Sequence, residues 1–290
     1  MESKFKKIWE ELLKTKNLPS KLTGVKEINY KDFKLLRDKF DLKKSEKLIQ
    51  ELHEGKVLIV KNAFDRDLVD YIKKQVMQFW KDNPDTYFKM VEDCPDFHRV
   101  ITPDVAKNYS VGAVRHTTYF FSWNKDPCKF NEIIYERWRY SKYIAGLEFN
   151  QYEKNTPKDG SVDRIQIVCY PPRYGGVEKH VDTSNNCNLA ISCYLSSIKN
   201  SDFKSGGFYC VNEKDQKIDL EKHIDIGDMS LFCPSIEHGV YPIDENSTEK
   251  NYDWYSGVGR WWMGLFTNDS NLIKNRKTVK SLEQNLALSK

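Results

Sequence analysis

Between residues 162 and 267 the chain breaks into short β-type runs, and this texture limits the fold more than any other feature. The runs cover 163–170, 177–182, 187–195, 206–212, 225–233, 237–242 and 258–267. Turn-forming stretches separate them: "PPRYGG", "SIKNSDFKSGG", "DIGD" and "DENSTEKN". Short strands punctuated by regular turns predict an antiparallel sandwich or barrel. At 290 residues the chain can hold such a structure as one domain and bury a sizeable core.

The first half has a different grain. Residues 1–53 are charged, with apolar positions at Phe5, Ile8, Leu12 and Leu13, and again at Leu35, Leu36, Phe40, Leu48 and Leu52. That spacing fits a 3.6-residue period broken at Pro19 and Gly24, so two or three helices are expected. "GKVLIVKNAF" (55–64) has strand length, and the segment after it places Leu68, Ile72, Val76 and Phe79 on one helical face behind an Asp65 cap. Loops are expected from 81 to 110, a strand over 112–123 and a helix over 129–151. The organisation read here is one domain over 1–290. A helical flank with supporting strands occupies 1–160, a β core 161–267 and a terminal helix 268–290.

Charge and cysteine content exclude several classes. The 46 basic and 42 acidic residues are interspersed, which argues against the basic stripe of a nucleic-acid-binding protein. There is no run of 18 apolar residues and no apolar leader, so neither membrane insertion nor secretion is expected. The seven cysteines are odd in number and contain no CxxC, and buried reduced thiols in a cytoplasmic protein are expected.

The chemistry concentrates in "EKHVDTS". Side chains two apart on a strand share a face, so His180 and Asp182 converge while Val181 turns away. An isolated pair of this kind usually lies on a solvated surface, and a third ligand is needed. Of the six histidines, His238 in "DIGDMSLFCPSIEHGV" follows a Gly-Asp turn and an apolar strand, from where a sandwich can carry it to the pair. Two histidines and a carboxylate make the facial triad of non-haem Fe(II) oxygenases, with open positions left over. A chelating 2-oxo acid takes two of those positions and dioxygen one. The acid's distal carboxylate then needs a cation, and Arg260 in "GRWWMGLF" suits bidentate capture.

The ordered motifs "RIQIVCYPPRYGGVEKHVDTS", "GGFYCVN", "DIGDMSLFCPSIEHGV" and "GRWWMGLF" resemble the Fe(II)/2-oxoglutarate-dependent dioxygenase superfamily, in its isopenicillin-N-synthase-like and prolyl-hydroxylase-like branches. The resemblance covers about residues 160–267. It implies an α+β fold with a mainly β core, a double-stranded β-helix (jelly roll, cupin-like) flanked by N-terminal helices. It implies His180, Asp182 and His238 as the iron ligands, Arg260 as the clamp for the C5 carboxylate, and Fe(II), 2-oxoglutarate and O2 as cofactors. Tyr170, beside Pro171, stands where such proteins place a tyrosine that reaches the co-substrate. Arg260 follows His238 by 22 residues, a longer interval than the family's, and Lys250 competes for its role. Trp262 replaces the serine of the plant-type Arg-x-Ser pattern. The carboxylate at Asp182 favours hydroxylation, cyclisation or desaturation over halogenation, which needs that position open.

On "AVRHTTYFF", Arg115, Thr117 and Tyr119 share one face and His116, Thr118 and Phe120 the other, and either face can meet the cavity. Arg115 and His116 are therefore candidate substrate contacts, Arg115 for an anionic group. His98 is expected on a surface loop, and His53 and His223 in solvent. The expected partner is a small-molecule substrate, carboxylate-bearing to match Arg115, with no nucleic acid and no membrane. A metal-dependent jelly-roll hydrolase and a non-catalytic cupin-like binding protein are the competing classes.

Overall fold

The structure is a computed structural model and describes residues 2–126, 128–248 and 252–283. Its helices are α1 (Lys4–Thr15), α2 (Tyr30–Asp38), α3 (Leu42–His53), α4 (Arg66–Asp82), α5 (Pro103–Ala106) and α6 (Phe130–Ile144). The strands begin with β1 (Gly24–Asn29), β2 (Lys56–Lys61), β3 (Phe97–Ile101) and β4 (Ala113–Phe121). They continue with β5 (Ser161–Tyr170), β6 (Gly176–Val181), β7 (Ala190–Tyr194), β8 (Gly207–Val211) and β9 (Lys217–Asp219). The last are β10 (Met229–Phe232), β11 (His238–Tyr241), β12 (Arg260–Asp269) and β13 (Lys280–Ser281).

Four of the six helices, α1, α3, α4 and α5, start from a Ser, Asp or Thr side-chain cap. The Asp65 carboxylate accepts from Leu68 N at 2.8 Å and opens α4, whose Val69, Ile72, Val76 and Trp80 are buried. Such a stripe at helical spacing contributes about 1.5–3 kcal/mol per fully buried large side chain. α1 docks by Phe5 and Trp9, and the Trp9 indole donates to Ile144 O at 2.9 Å.

The strands run in the order β1-β2-β10-β7-β12-β5-β4-β6-β11-β8-β9, with β3 on β4 and β13 on β6. β4 is the seam between two sheets: His116–Phe121 pair with β5, while Ala113 and Val114 pair with β6. Among these strands only β1 and β2 pair in parallel. Alternation on β5 and β12 separates the two sides of the larger sheet. Ile165, Ile167, Cys169, Trp261, Met263 and Leu265 enter the main core beneath the helices. Val168 and Tyr170 face the smaller sheet, where they pack with Ala113 and Val177. A double-stranded β-helix with flanking helices is the observed architecture, as expected.

Several expectations need correction. Residues 24–29 form a strand within a stretch read as helical, because parallel pairing with β2 completes an edge that local periodicity does not report. β3 and α5 occupy the stretch read as loops, and β3 pairs with the far edge of β4. His98 lies on β3 and is fully buried rather than on a surface loop. His53 is also buried, at the end of α3.

The C-terminal segment differs most. No helix occurs among the described residues after 267, and residues 284–290 lie outside the described residues. β12 instead runs on to Asp269, opposite Ser161. β13 then pairs Lys280 with Val181 and Ser281 with His180. β4 covers β6 only at Gly176 and Val177, so β13 satisfies backbone groups that would otherwise be left at an open edge. All seven cysteines are free, and six are buried. No helix among the described residues is long and apolar enough to cross a membrane.

Candidate metal centre

Pairing between β6 and β11 sets His180 directly opposite His238. Their ring centroids are 4.3 Å apart. Asp182 follows β6 by one residue and is fixed by its backbone N–H, which donates to Pro234 O at 2.9 Å. Asp182 Oδ1 lies 3.9 Å from His180 Nε2, and Oδ2 lies 3.6 Å from His238 Nε2. One ligand atom from each of the three residues lies within 4.8 Å of the others, close enough to share one ion.

Both rings are oriented by the same device. His180 Nδ1 donates to Glu178 O at 2.7 Å, and His238 Nδ1 donates to Ile236 O at 2.8 Å. In each case the acceptor is the carbonyl two residues earlier. The bond fixes the tautomer and leaves the Nε2 lone pair free for a metal. Burial, with the neighbouring His238, lowers His180 to about 4, so its ring is neutral at physiological pH. Two imidazoles with their Nε2 atoms turned to one side of an open cavity, and a carboxylate beside them, fit a divalent iron.

That cavity holds about 280 Å³ and is lined by all three residues together with Arg260, Tyr170 and Arg115. Arg260 is 1% exposed. Its Nε donates to Glu221 Oε1 at 2.7 Å, its Nη2 lies 2.6 Å from the same oxygen, and its Nη1 has no partner. Arg260 thus carries an anchored side and a side free for a second anion. Glu221 also accepts from Phe208 N at 2.7 Å. A Cβ at residue 207 would fall 2.3 Å from its Oε1, and φ there is +108°, so Gly207 is required beside the buried carboxylate. Tyr170 pairs with Arg260 across β5 and β12 and holds its ring 5.8 Å from the guanidinium carbon. Trp262 lines the same wall, where the plant-type serine is absent.

Trp254 and Tyr255, in the interval before Arg260, pack away from the His180–Asp182–His238 cluster. Trp254 O accepts from His116 Nδ1 at 2.9 Å, and the Tyr255 ring packs edge-on against His116. These contacts lie on the helix side of β4. Lys250, the competing cation, lies outside the described residues.

The two substrate candidates part company. Arg115 lines the cavity, whereas His116 does not: it is 1% exposed and stacks on Trp80 at 3.7 Å. Strand parity alone accounts for this, since adjacent residues face opposite ways. Sequence reasoning missed Glu221, Arg164 and Arg276. Arg164 was findable, standing six residues before Tyr170 on the same face of β5. Glu221 gives no local signal.

No family model matches the sequence, and no curated protein matches it either. Solved structures do match. A full-length Neurospora crassa protein in complex with α-ketoglutarate and thymine superposes at a TM-score of 0.50. Its identity is 11%, over 93% of this chain and 98% of that one. A Trichoplax adhaerens prolyl hydroxylase, in complex with a hypoxia inducible factor peptide fragment, gives 0.48 at 18% identity, over 87% and 99% of the two chains. A Pseudomonas putida prolyl-4-hydroxylase gives 0.45 at 12%, over 73% and 91%. The chain therefore has the double-stranded β-helix fold of the 2-oxoglutarate/Fe(II) oxygenases.

Proposed function

We propose that the chain is an Fe(II)- and 2-oxoglutarate-dependent dioxygenase that oxidises a small molecule. One oxygen atom of O2 enters succinate as 2-oxoglutarate releases its C1 carboxylate as CO2, and the other enters the product on hydroxylation or leaves as water on cyclisation or desaturation. Bound iron supplies the redox chemistry that couples this decarboxylation to oxidation of a C–H bond. His180, Asp182 and His238 hold the metal. Arg260 binds the C5 carboxylate through the side that Glu221 leaves free, with Tyr170 beside it. Asp182 occupies the position a halide would need, which favours hydroxylation, cyclisation or desaturation. The free cysteines favour a reducing compartment such as the cytoplasm.

The observation that carries this reading is the unpartnered Nη1 of a fully buried arginine in the cavity of a three-residue metal centre. A buried cationic nitrogen without an acceptor is costly unless a ligand supplies one. A metal-dependent hydrolase needs a general base beside the metal. Among the described residues, the cavity wall has no carboxylate or imidazole besides the three ligands.

The test is succinate release with iron and 2-oxoglutarate across a metabolite panel. Asp182→Ala is expected to reduce it to background, and turnover near wild type would sink the assignment. Arg260→Gln is expected to raise the 2-oxoglutarate requirement at least tenfold, roughly the scale of one lost charged hydrogen bond. If Lys250→Ala does so instead, the clamp is misassigned.

A further inference from the structure

The cavity wall carries five cationic side chains, Arg115, Arg164, Arg260, Arg276 and Lys277, against one carboxylate, Asp182. Arg260 has Glu221. Among the described residues, no carboxylate pairs with Arg115, Arg164 or Arg276. The Nε atom of each of these three is buried without a hydrogen-bond partner. Iron, Asp182, 2-oxoglutarate, Arg260 and Glu221 together come close to neutrality, so the four remaining cations are not balanced by the bound co-substrate.

Their placement is specific. Along β5 and β12, Arg260 sits opposite Tyr170 at one end and Arg164 opposite Phe266 towards the other. Six residues separate Arg260 from Phe266, roughly 20 Å along a strand. The Arg164 guanidinium lies 5.1 Å from the Tyr119 ring and 5.3 Å from the Phe266 ring, and its Nη2 donates to Gln166 Oε1 at 3.0 Å. It is therefore held by two rings and an amide while no anion neutralises it. Arg115 reaches the site from β4 and Arg276 from the segment between β12 and β13. Burial and the charges of Arg276 and Arg115 lower Arg164 to about 10 although Tyr119 and Asp182 oppose them, as expected for cations crowded together. A desolvated cluster of like charge lowers stability unless an anion enters it.

We propose that Arg115, Arg164 and Arg276 form the substrate-binding subsite, and that the substrate is a small molecule with a doubly negative head, either a phosphate monoester or a pair of carboxylates. Guanidinium groups bind both through paired N–H donors. Arg164 stands at the end of β5 and β12 away from Arg260, while Arg115 starts from β4 level with Tyr170, so the head is held between them beside the metal site. Only the oxidation of that molecule rests on the oxygenase reading; binding of the anion does not.

The experiment is calorimetric titration of the full chain, loaded with Mn(II) and saturating 2-oxoglutarate, at constant ionic strength. The probes are glycerol 3-phosphate, glutarate and uncharged glycerol. At least one dianion is expected to bind ten times more tightly than glycerol, and which one does so separates phosphate from dicarboxylate. Arg164→Gln is expected to weaken that binding at least tenfold, and Arg115→Gln and Arg276→Gln severalfold each. Arg164→Lys is expected to restore part of it. Affinity for 2-oxoglutarate should stay within twofold, which also reports on folding, and Arg276 lies outside every strand. The proposal is overturned if neither dianion exceeds glycerol, or if all three glutamine variants bind within twofold of wild type. Binding of a single-stranded oligonucleotide with no binding of either dianion overturns it equally. If wild type takes up no 2-oxoglutarate, the oxygenase reading fails while the dianion titrations still decide this one.

Discussion

Two pairs of histidines lie on the two sides of the same seam, and their difference shows how the fold separates chemistry from structure. His180 and His238 each give Nδ1–H to a carbonyl of their own chain segment and turn Nε2 towards Asp182 and the cavity. His98 and His116 use both ring nitrogens. His98 Nε2 meets Asn83 O at 2.9 Å, His116 Nδ1 meets Trp254 O at 2.9 Å, and the two inner nitrogens face each other at 3.0 Å. That chain of three contacts needs three ring protons, one more than two neutral rings carry. Burial pushes His116 down to about 3, so its ring is neutral at physiological pH and can donate from only one of its two nitrogens. The first pair has lone pairs pointing at an open cavity; the second spends its nitrogens on packing.

Exchanging the perturbation between the pairs should exchange the outcome, and this is the largest expected effect. His180→Ala should reduce succinate release to background and leave the stability of the metal-free protein within about 1 kcal/mol, since its ring borders a cavity. His116→Ala should remove a ring stacked on Trp80 and cost about 2–4 kcal/mol in urea unfolding. Comparable loss of stability in both variants would mean that the metal pair is as structural as the buried one.

A smaller effect separates Glu221 from the ligand set. Glu221→Gln keeps the shape but removes the charge that anchors one side of Arg260. The 2-oxoglutarate requirement should rise several fold with little change in maximal rate, because the carboxylate touches Arg260 and none of His180, Asp182 and His238. A fall in maximal rate at saturating 2-oxoglutarate would place Glu221 closer to the chemistry than its contacts do. The contrast with Asp182→Ala, where rate itself should vanish, distinguishes a positioning residue from a ligand.

The legible and illegible parts divide along physical lines. His180 and Asp182 were readable because strand parity is local, and His238 because its strand and turn are local too. Arg260 was readable as a strand-borne cation, yet its partner Glu221 was not. The two are 39 residues apart and meet only once β12 and the turn after β9 have packed. β1 and β13 were missed for a related reason: each is stabilised by an edge elsewhere in the sheet rather than by its own pattern. Parity gave His116 and Arg115 opposite faces but could not say which face met the cavity. The aromatic wall of Trp80 and Tyr255 decides that, and it comes from α4 and from the long excursion before Arg260.

The buried pair also gives the smallest prediction its sign. A ring held near pH 3 in the folded protein titrates near 6.5 when unfolded, so between these values the unfolded chain binds more protons. Stability from this source is complete above about pH 6.5 and is lost as pH falls towards 3, at about 1.4 kcal/mol per unit. His116→Phe keeps a ring on Trp80 and cannot titrate. The loss of unfolding free energy between pH 7 and pH 5 should therefore be about 2 kcal/mol smaller in that variant than in wild type. Contributions from the buried carboxyls Asp96 and Asp163, both raised to about 6 chiefly by burial, are common to the two proteins and cancel in the difference. Identical acid sensitivity in the two proteins would mean that His98 and His116 hold the third proton when folded. The pair would then be an imidazole–imidazolium bond, and the contrast with the metal histidines would be one of charge as well as of placement.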